Sequence, residues 1–214
     1  MSKPADTPHP IESLLGASSA QRLEARHAIG WQALKGSFDA LFEPGDAGGL
    51  TRIERELLAL RIGSRLADRG LAQLHAERAL ALGSAADLVD AAGRNGTAAG
   101  TRLAALFVHA DRLTLTPASA SPAHLQSLAH QGLTAADIVA ASQVIAFVNY
   151  FGRLRAGLSW LQGSSSAVAG DSELPERGAP SFTLDELQWS PWVAPVDGTQ
   201  LTPLQIEVLD ESNA

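Results

Sequence analysis

The sequence predicts an all-α protein, a bundle of helices followed by an extended C-terminal arm. Alanine and leucine dominate the first three quarters of the 214-residue chain, and apolar residues recur there at spacings of three and four. Alternating apolar and polar runs, which would predict strands, are nearly absent from that part. Breaks at Gly83, Gly96, Pro117 and Gly132 divide the pattern into segments of helical length.

Seven helices follow from this pattern in chain order. Their predicted bounds are Ala20 to Phe42, Thr51 to Ala67, Leu71 to Leu82, Ala85 to Ala92, Gly100 to Leu115, Pro122 to His130 and Thr134 to Leu161. Two of them begin at a threonine followed three residues later by an acid, as in Thr51 with Glu54, which predicts a capping box. We expect residues 1–19 to be flexible and residues 20–162 to form the helical domain.

The composition changes after the last helix. Serine, glycine and proline are frequent in residues 163–180, which predicts a linker. Residues 181–214 are too short to fold alone, yet they contain Trp189 and Trp192. Exposing both indoles would leave a large apolar patch, so we expect this arm to dock on its own domain or on a neighbouring subunit.

Composition also excludes several classes of function. The formal charge of -7 and the lack of a basic run argue against a nucleic-acid partner. The chain has no cysteine, which excludes disulfides, thiolate metal sites and thiol peroxidase chemistry. No signal-peptide pattern is present at the start, so we expect a cytoplasmic protein. The longest uncharged apolar stretch, residues 138–152, is shorter than the roughly 20 residues of a membrane span and predicts a buried helix without a membrane partner.

Glu56 stands out on the second predicted helix. On a helical wheel, Glu54, Arg61 and Arg65 share a solvent-facing stripe, whereas Glu56 lies about 150° away among apolar residues such as Leu60. A buried carboxyl is costly unless it is paired, protonated or beside a cavity, and burial prepares such a group for acid–base work. The structural alternative is a glutamate that caps a helix end or pairs with an arginine.

His75 has the same inward placement on the next helix. Leu71 and Ala79 lie on its face, whereas Glu77 lies on the other side and Arg78 at the border. A lone inward histidine is more often a satisfied core residue than a catalyst. A short turn should fold this helix back on its predecessor, however, so that Glu56 and His75 share one cavity and act as a proton donor and acceptor.

Asn149 and Arg153 are weaker candidates. They lie four residues apart on the last long helix, so they share a face and would either bind an anionic substrate group or tie helices together. The remaining histidines lack the spacing of metal sites, and no phosphate-binding glycine loop or nucleophilic serine motif occurs. We therefore predict no metal and no cofactor.

Several segments in order carry a family resemblance. They are Leu50-Thr-Arg-Ile-Glu-Arg-Glu-Leu-Leu-Ala-Leu-Arg61, His75 with Gly83, the Leu-Thr-Leu-Thr-Pro run that ends at Pro117, Gly132-Leu-Thr-Ala-Ala-Asp-Ile-Val139, and Asn149 to Arg153. Across residues 50–162 the chain resembles the alkylhydroperoxidase and carboxymuconolactone decarboxylase superfamily. Peroxidases of that family place a Cys-x-x-Cys pair between the glutamate and the histidine. The matching positions here are Asp68 and Leu71.

The resemblance implies a helical oligomer but not peroxidase activity, because the thiol cycle needs the missing cysteines. The decarboxylase branch, which needs no cysteine, implies proton transfer on a small carboxylated lactone. Our first hypothesis is therefore acid–base chemistry on, or binding of, a small organic acid or lactone by Glu56 and His75, oriented by Asn149 and Arg153. The second is a non-catalytic partner of a cysteine-bearing paralogue. In both cases we expect a homo-oligomer formed through helix packing and the C-terminal arm.

Overall fold

The computed structural model describes residues 8–94, 96, 101–163, 190–193, 195 and 206. The chain divides into two units, Met1–Glu173 and Leu174–Ala214. Within the described residues the first unit contains helices and no strand, as the sequence predicts. The α-helices are α1 Pro10–Leu15, α2 Ala17–Arg26, α3 Ala28–Phe42, α4 Arg52–Arg65, α5 Arg69–Ala81, α6 Ala86–Gly93, α7 Thr101–Leu115, α8 Pro122–His130 and α9 Ala135–Leu161. A short 3-10 turn, Pro117–Ser119, follows α7.

The predicted starts of α4 and α9 are correct because both helices carry the capping boxes expected from the sequence. The Thr51 hydroxyl accepts from the Glu54 amide at 3.2 Å, and the Glu54 carboxylate accepts from the Thr51 amide at 2.9 Å. Thr134 and Asp137 repeat the arrangement at the start of α9. These reciprocal bonds satisfy backbone donors that have no partner within the helix.

Helix α4 lies at the centre of the first unit, and α5 packs against it after a tight turn. At their crossing Gly63 is buried, and a Cβ added there would lie 2.8 Å from the Ala72 backbone nitrogen. Ala67, in the turn between the two helices, has a φ of 55°, and this left-handed backbone conformation lets the chain reverse direction. The close approach sets which faces of α4 and α5 meet, and so brings their inward polar residues together.

Two expectations about the N-terminal part are wrong. Helix α1 and the start of α2 lie within residues 10–19, which were expected to be flexible, and Ile11 is fully buried. The single helix predicted from Ala20 to Phe42 is two helices, because the chain leaves helical geometry at His27, with φ of -142° and ψ of 51°. No glycine or proline marks that break, so the sequence pattern did not reveal it.

Helix α9 is the long apolar helix predicted from residues 138–152 and its flanks. Its 27 residues have the length and apolar composition of a membrane span, with mean hydropathy of 1.3 in the most apolar window. Half of that window is buried inside the chain, which is typical of a core helix. The buried residues include Val144, Val148 and Phe151.

Most of the predicted linker and arm lies outside the described residues. In the second unit the structure describes residues 190–193, 195 and 206, where Trp192 is 56% exposed. The predicted docking of the arm therefore remains a prediction.

Candidate functional site

Glu56 and His75, the two inward residues predicted to meet, form a direct hydrogen bond. The distance from His75 Nδ1 to Glu56 Oε2 is 2.6 Å, and the two side chains are 1% and 0% exposed. Glu56 reaches this point from the middle of α4 and His75 from the middle of α5, across the close crossing at Gly63. The structure thus brings together the carboxyl and imidazole groups that the sequence singled out.

Arg78 completes the cluster, a role that the sequence pattern did not indicate. Its Nε donates to the second carboxylate oxygen of Glu56 at 2.7 Å, and its Nη1 donates to Glu43 at 3.3 Å. Glu56 is therefore paired with an arginine, the structural alternative left open above, while it also bonds His75. Buried charges require such pairing, and two charge-assisted bonds hold the carboxylate in one orientation. The spacing of three residues between His75 and Arg78 on α5 could have suggested this role.

Aromatic rings surround the imidazole. The Phe42 ring centroid lies 4.7 Å from that of His75, and the Phe38 centroid lies 6.2 Å away. Phe147 of α9 packs against both phenylalanines at 6.3 Å, and the Arg78 guanidinium lies over Phe38. These rings exclude water from the Glu56–His75 hydrogen bond, which strengthens it electrostatically.

The geometry assigns the protons of the His75 ring. A carboxylate at Glu56 accepts, so Nδ1 of His75 donates and the neutral ring has its lone pair on Nε2. In the hydrogen bonds of the described residues, Nε2 of His75 has no partner. The Nε2 lone pair is where such a ring would accept a proton.

The two positions where the resembled peroxidases carry cysteines have structural roles here. Asp68 caps α5 by accepting from the Leu71 amide at 3.0 Å, and its carboxylate forms an ion pair with Arg155 of α9. Leu71 is 1% exposed and packs in the core. Both side chains contribute to helix packing, and neither offers a redox group.

Asn149 and Arg153 pair with each other and not with Glu56 or His75 in the hydrogen bonds of the described residues. The Asn149 amide nitrogen donates to Thr114 Oγ1 of α7 at 2.9 Å and to the Ile145 carbonyl, and its oxygen accepts from Arg153 at 3.0 Å. All of the amide's polar atoms are therefore engaged within the chain. This arrangement matches the helix-tying role considered from the sequence.

The prediction that Arg61 faces solvent is wrong. Its guanidinium is buried between α4 and α7, where it donates to both oxygens of Asp111 at 2.9 and 2.7 Å and to the Gly96 carbonyl. Arg65 bonds the same carboxylate at 2.7 Å through its Nε. Burial opposes the charge on Asp111, but the hydrogen bonds from the two arginines outweigh it and lower its pKa from 3.8 to about 2. The wheel placed Arg61 away from Glu56 correctly but could not show that α7 covers that face.

No group of three or more histidine, aspartate or glutamate side chains in the described part of the chain is arranged to hold a metal ion. The two described cavities also lie elsewhere. One lies between α7 and α8, and the other is lined by residues of α1, α2 and α9.

Comparison with known proteins supports the fold. No family model matches the sequence, and no curated protein matches it. A solved structure of an uncharacterized peroxidase-related protein from Silicibacter sp. TM1040 is similar, with a TM-score of 0.55 and 18% identity over 74% of this chain and 93% of that one. An alkylhydroperoxidase AhpD core from Ralstonia eutropha JMP134, an uncharacterized peroxidase-related protein, gives a TM-score of 0.48 and 18% identity over 72% of this chain and 85% of that one.

The chain therefore has the all-helical fold of the Silicibacter peroxidase-related protein, and its sequence contains no cysteine. At 18% identity the first of these structures bears on the fold alone.

Proposed function

We propose that this protein carries out cysteine-independent acid–base chemistry on a small organic acid or lactone, with His75 as the proton-transferring group. The observation that carries the proposal is the buried Glu56–His75 hydrogen bond, held from the other side by Arg78. Glu56 is a positioning residue in this scheme, because it orients the ring and stabilises the imidazolium that forms when Nε2 accepts a proton.

The simplest reaction for this site is a proton shift in the substrate. His75 Nε2 takes a proton from the carbon beside a lactone or acid carbonyl, and the C–H electron pair passes into the carbonyl as an enolate. The imidazolium then returns a proton to the same carbon or to a conjugated one, which leaves the enzyme unchanged. The rings of Phe38 and Phe42 favour this step, because they keep water away from His75 and so keep the Glu56–His75 hydrogen bond strong.

Glu56→Gln and His75→Gln test the proposal. The assay follows exchange of the substrate's α-hydrogens for deuterium by proton NMR, using a panel of γ-lactones that carry a carboxylate. Loss of the general base should reduce the exchange rate by about a hundredfold or more. We expect a similar loss in Glu56→Gln, since the neutral amide no longer stabilises the imidazolium.

Glu54→Gln provides the matched control. Glu54 lies on the same helix, but its carboxylate caps α4 and pairs with Arg102 rather than with His75. The control should keep wild-type exchange rates, and circular dichroism should show the same helicity in all three variants. Equal exchange rates in wild type, Glu56→Gln and His75→Gln would contradict the proposal.

A second candidate is a non-catalytic partner of a cysteine-bearing paralogue. The near-complete burial of His75 and the placement of both described cavities away from it favour this alternative. Large apolar side chains exposed on the first unit, such as Ile29 at 90% and Tyr150 at 60%, would suit an interface in either a homo-oligomer or a mixed assembly. Native mass spectrometry of the chain alone and with a cysteine-bearing protein of the same fold separates the two assemblies. A stable mixed complex, together with no exchange activity in the wild type, would favour the second candidate.

A further inference from the structure

A cavity of about 200 Å³ lies between α7 and α8, away from Glu56 and His75. Its walls are mostly apolar, with a few polar groups. They are formed by Ala104, Ala105, Val108, His109, Arg112, His124, Ser127 and Leu128. An apolar cavity of about 150 Å³ is large enough to hold benzene. The space therefore fits a six-membered ring or a branched chain of similar size.

Arg112 supplies a positive charge at this cavity. In the described residues its guanidinium has no carboxylate within ion-pair distance, whereas Arg61, Arg78 and Arg155 all have one. Arg112 Nη1 donates to the Ser119 hydroxyl at 3.0 Å and to its carbonyl at 3.3 Å, and these bonds hold the guanidinium against the 3-10 turn that follows α7. Nε and Nη2 make no hydrogen bond to the described residues, so they can donate to an anion.

His109 adds a buried polar group to the same wall. It is 5% exposed, and its Nε2 lies 3.1 Å from the Ser142 hydroxyl. Because that hydroxyl donates to the Ile138 carbonyl at 2.8 Å, it must accept from His109 Nε2. Burial, with Arg112 and His124 nearby, lowers the pKa of His109 to about 4, so the ring is neutral at neutral pH. Its Nδ1 then carries a lone pair that can accept from a ligand hydroxyl.

His124 provides a further donor. Its Nδ1 accepts from the Ser121 backbone amide at 3.0 Å, which places the proton of the neutral ring on Nε2. The cavity thus combines an arginine that has no carboxylate partner among the described residues, a histidine donor and a histidine acceptor with an apolar wall. Few, well-placed polar groups in an apolar cavity are typical of small-molecule sites.

We propose that this cavity binds a small carboxylic acid with an apolar body, whose carboxylate pairs with Arg112 and whose body packs on Ala104, Ala105 and Leu128. The site is separate from the Glu56–His75 cluster, so it does not depend on the function proposed there.

The test measures the binding of benzoate and of its neutral counterpart benzamide to the full chain by ligand-detected NMR and calorimetry. Benzoate should bind at least about tenfold more tightly than benzamide, because only the carboxylate gains a charge-assisted bond. Arg112→Gln should weaken benzoate binding by about tenfold or more and leave benzamide unchanged. Ala105→Leu should abolish the binding of both, because the larger side chain fills the cavity.

Arg94→Gln is the matched control, since Arg94 is 80% exposed and lies outside the cavity, and it should bind benzoate like the wild type. His75→Gln should also retain binding, which distinguishes this site from the proposed catalytic one. Equal affinity for benzoate and benzamide, or benzoate binding unchanged in Ala105→Leu, would overturn the proposal. If Arg112→Gln fails to fold, these two comparisons still decide the outcome.

Discussion

Replacing Asp111 with asparagine should destabilise the protein by an amount that depends on pH. Asp111 lies on α7 and forms ion pairs with Arg61 and Arg65, which both lie on α4. The substitution keeps the side chain's shape but removes its negative charge. Arg61, which is 5% exposed, then keeps its bonds to the Ala91 and Gly96 carbonyls but faces a neutral amide in place of a carboxylate.

The magnitude follows from the pKa and from burial. A lowering of the Asp111 pKa from 3.8 to about 2 corresponds to about 2 kcal/mol of folding free energy. Arg61 is also left buried without its counter-charge, which adds to that loss. We therefore expect Asp111→Asn to lower the free energy of unfolding by about 3 kcal/mol at pH 7. A depressed carboxyl pKa contributes stability that is fully present above the unfolded value. That contribution disappears as the pH falls from about 4 to about 2.

Urea unfolding of wild type and Asp111→Asn at a series of pH values measures this difference. The gap in unfolding free energy should be about 3 kcal/mol at pH 5 to 7 and should shrink by about 2 kcal/mol near pH 2. Asp90→Asn is the control, because Asp90 and Arg94 form an exposed pair four residues apart and should contribute less than about 0.5 kcal/mol at any pH. A gap that stays constant with pH, or one no larger than in the control, would refute the reasoning.

Two further predictions concern packing and protonation. Gly63→Ala should lower the free energy of unfolding by about 1 to 3 kcal/mol in urea titrations, because its Cβ would meet the Ala72 backbone. Gly157→Ala, on a helix position with open space, should instead be neutral or stabilising by up to about 1 kcal/mol, and equal effects would contradict the packing argument. The depressed pKa of His109 should make the protein lose stability as the pH falls from 6.5 to about 4, since the unfolded chain protonates first. An NMR titration that places the His109 pKa near 6.5 would contradict this.

The sequence alone was sufficient for the fold class and for the pairing at the candidate site. Helical periodicity is a local property, so it placed Glu56 and His75 on the inward faces of two consecutive helices. Because the turn between those helices is short, they can pack in few ways, and the observed packing brings Glu56 and His75 into a hydrogen bond. The absence of cysteine, read directly from composition, likewise excluded the thiol chemistry of the resembled peroxidases.

Other features depended on contacts between distant segments, which periodicity does not encode. The burial of Arg61 needs α7, whose Asp111 lies 50 residues further along the chain. The engagement of Asn149 with Thr114 spans 35 residues. In each case the helical wheel assigns a polar residue to solvent or to a ligand, whereas the residue forms its hydrogen bonds with another helix.

What the chain determined by itself was therefore the helices from α4 to α9, the capping of α4 and α9, and the inward direction of the acid and the imidazole, because these depend on neighbours within a few residues. Only the tertiary structure decided that Arg78 holds Glu56, that Asp68 serves as a cap tied to Arg155, and that α7 and α8 enclose a cavity beside Arg112. These outcomes arise from the crossing of helices, where the partner of a buried charge is chosen by packing.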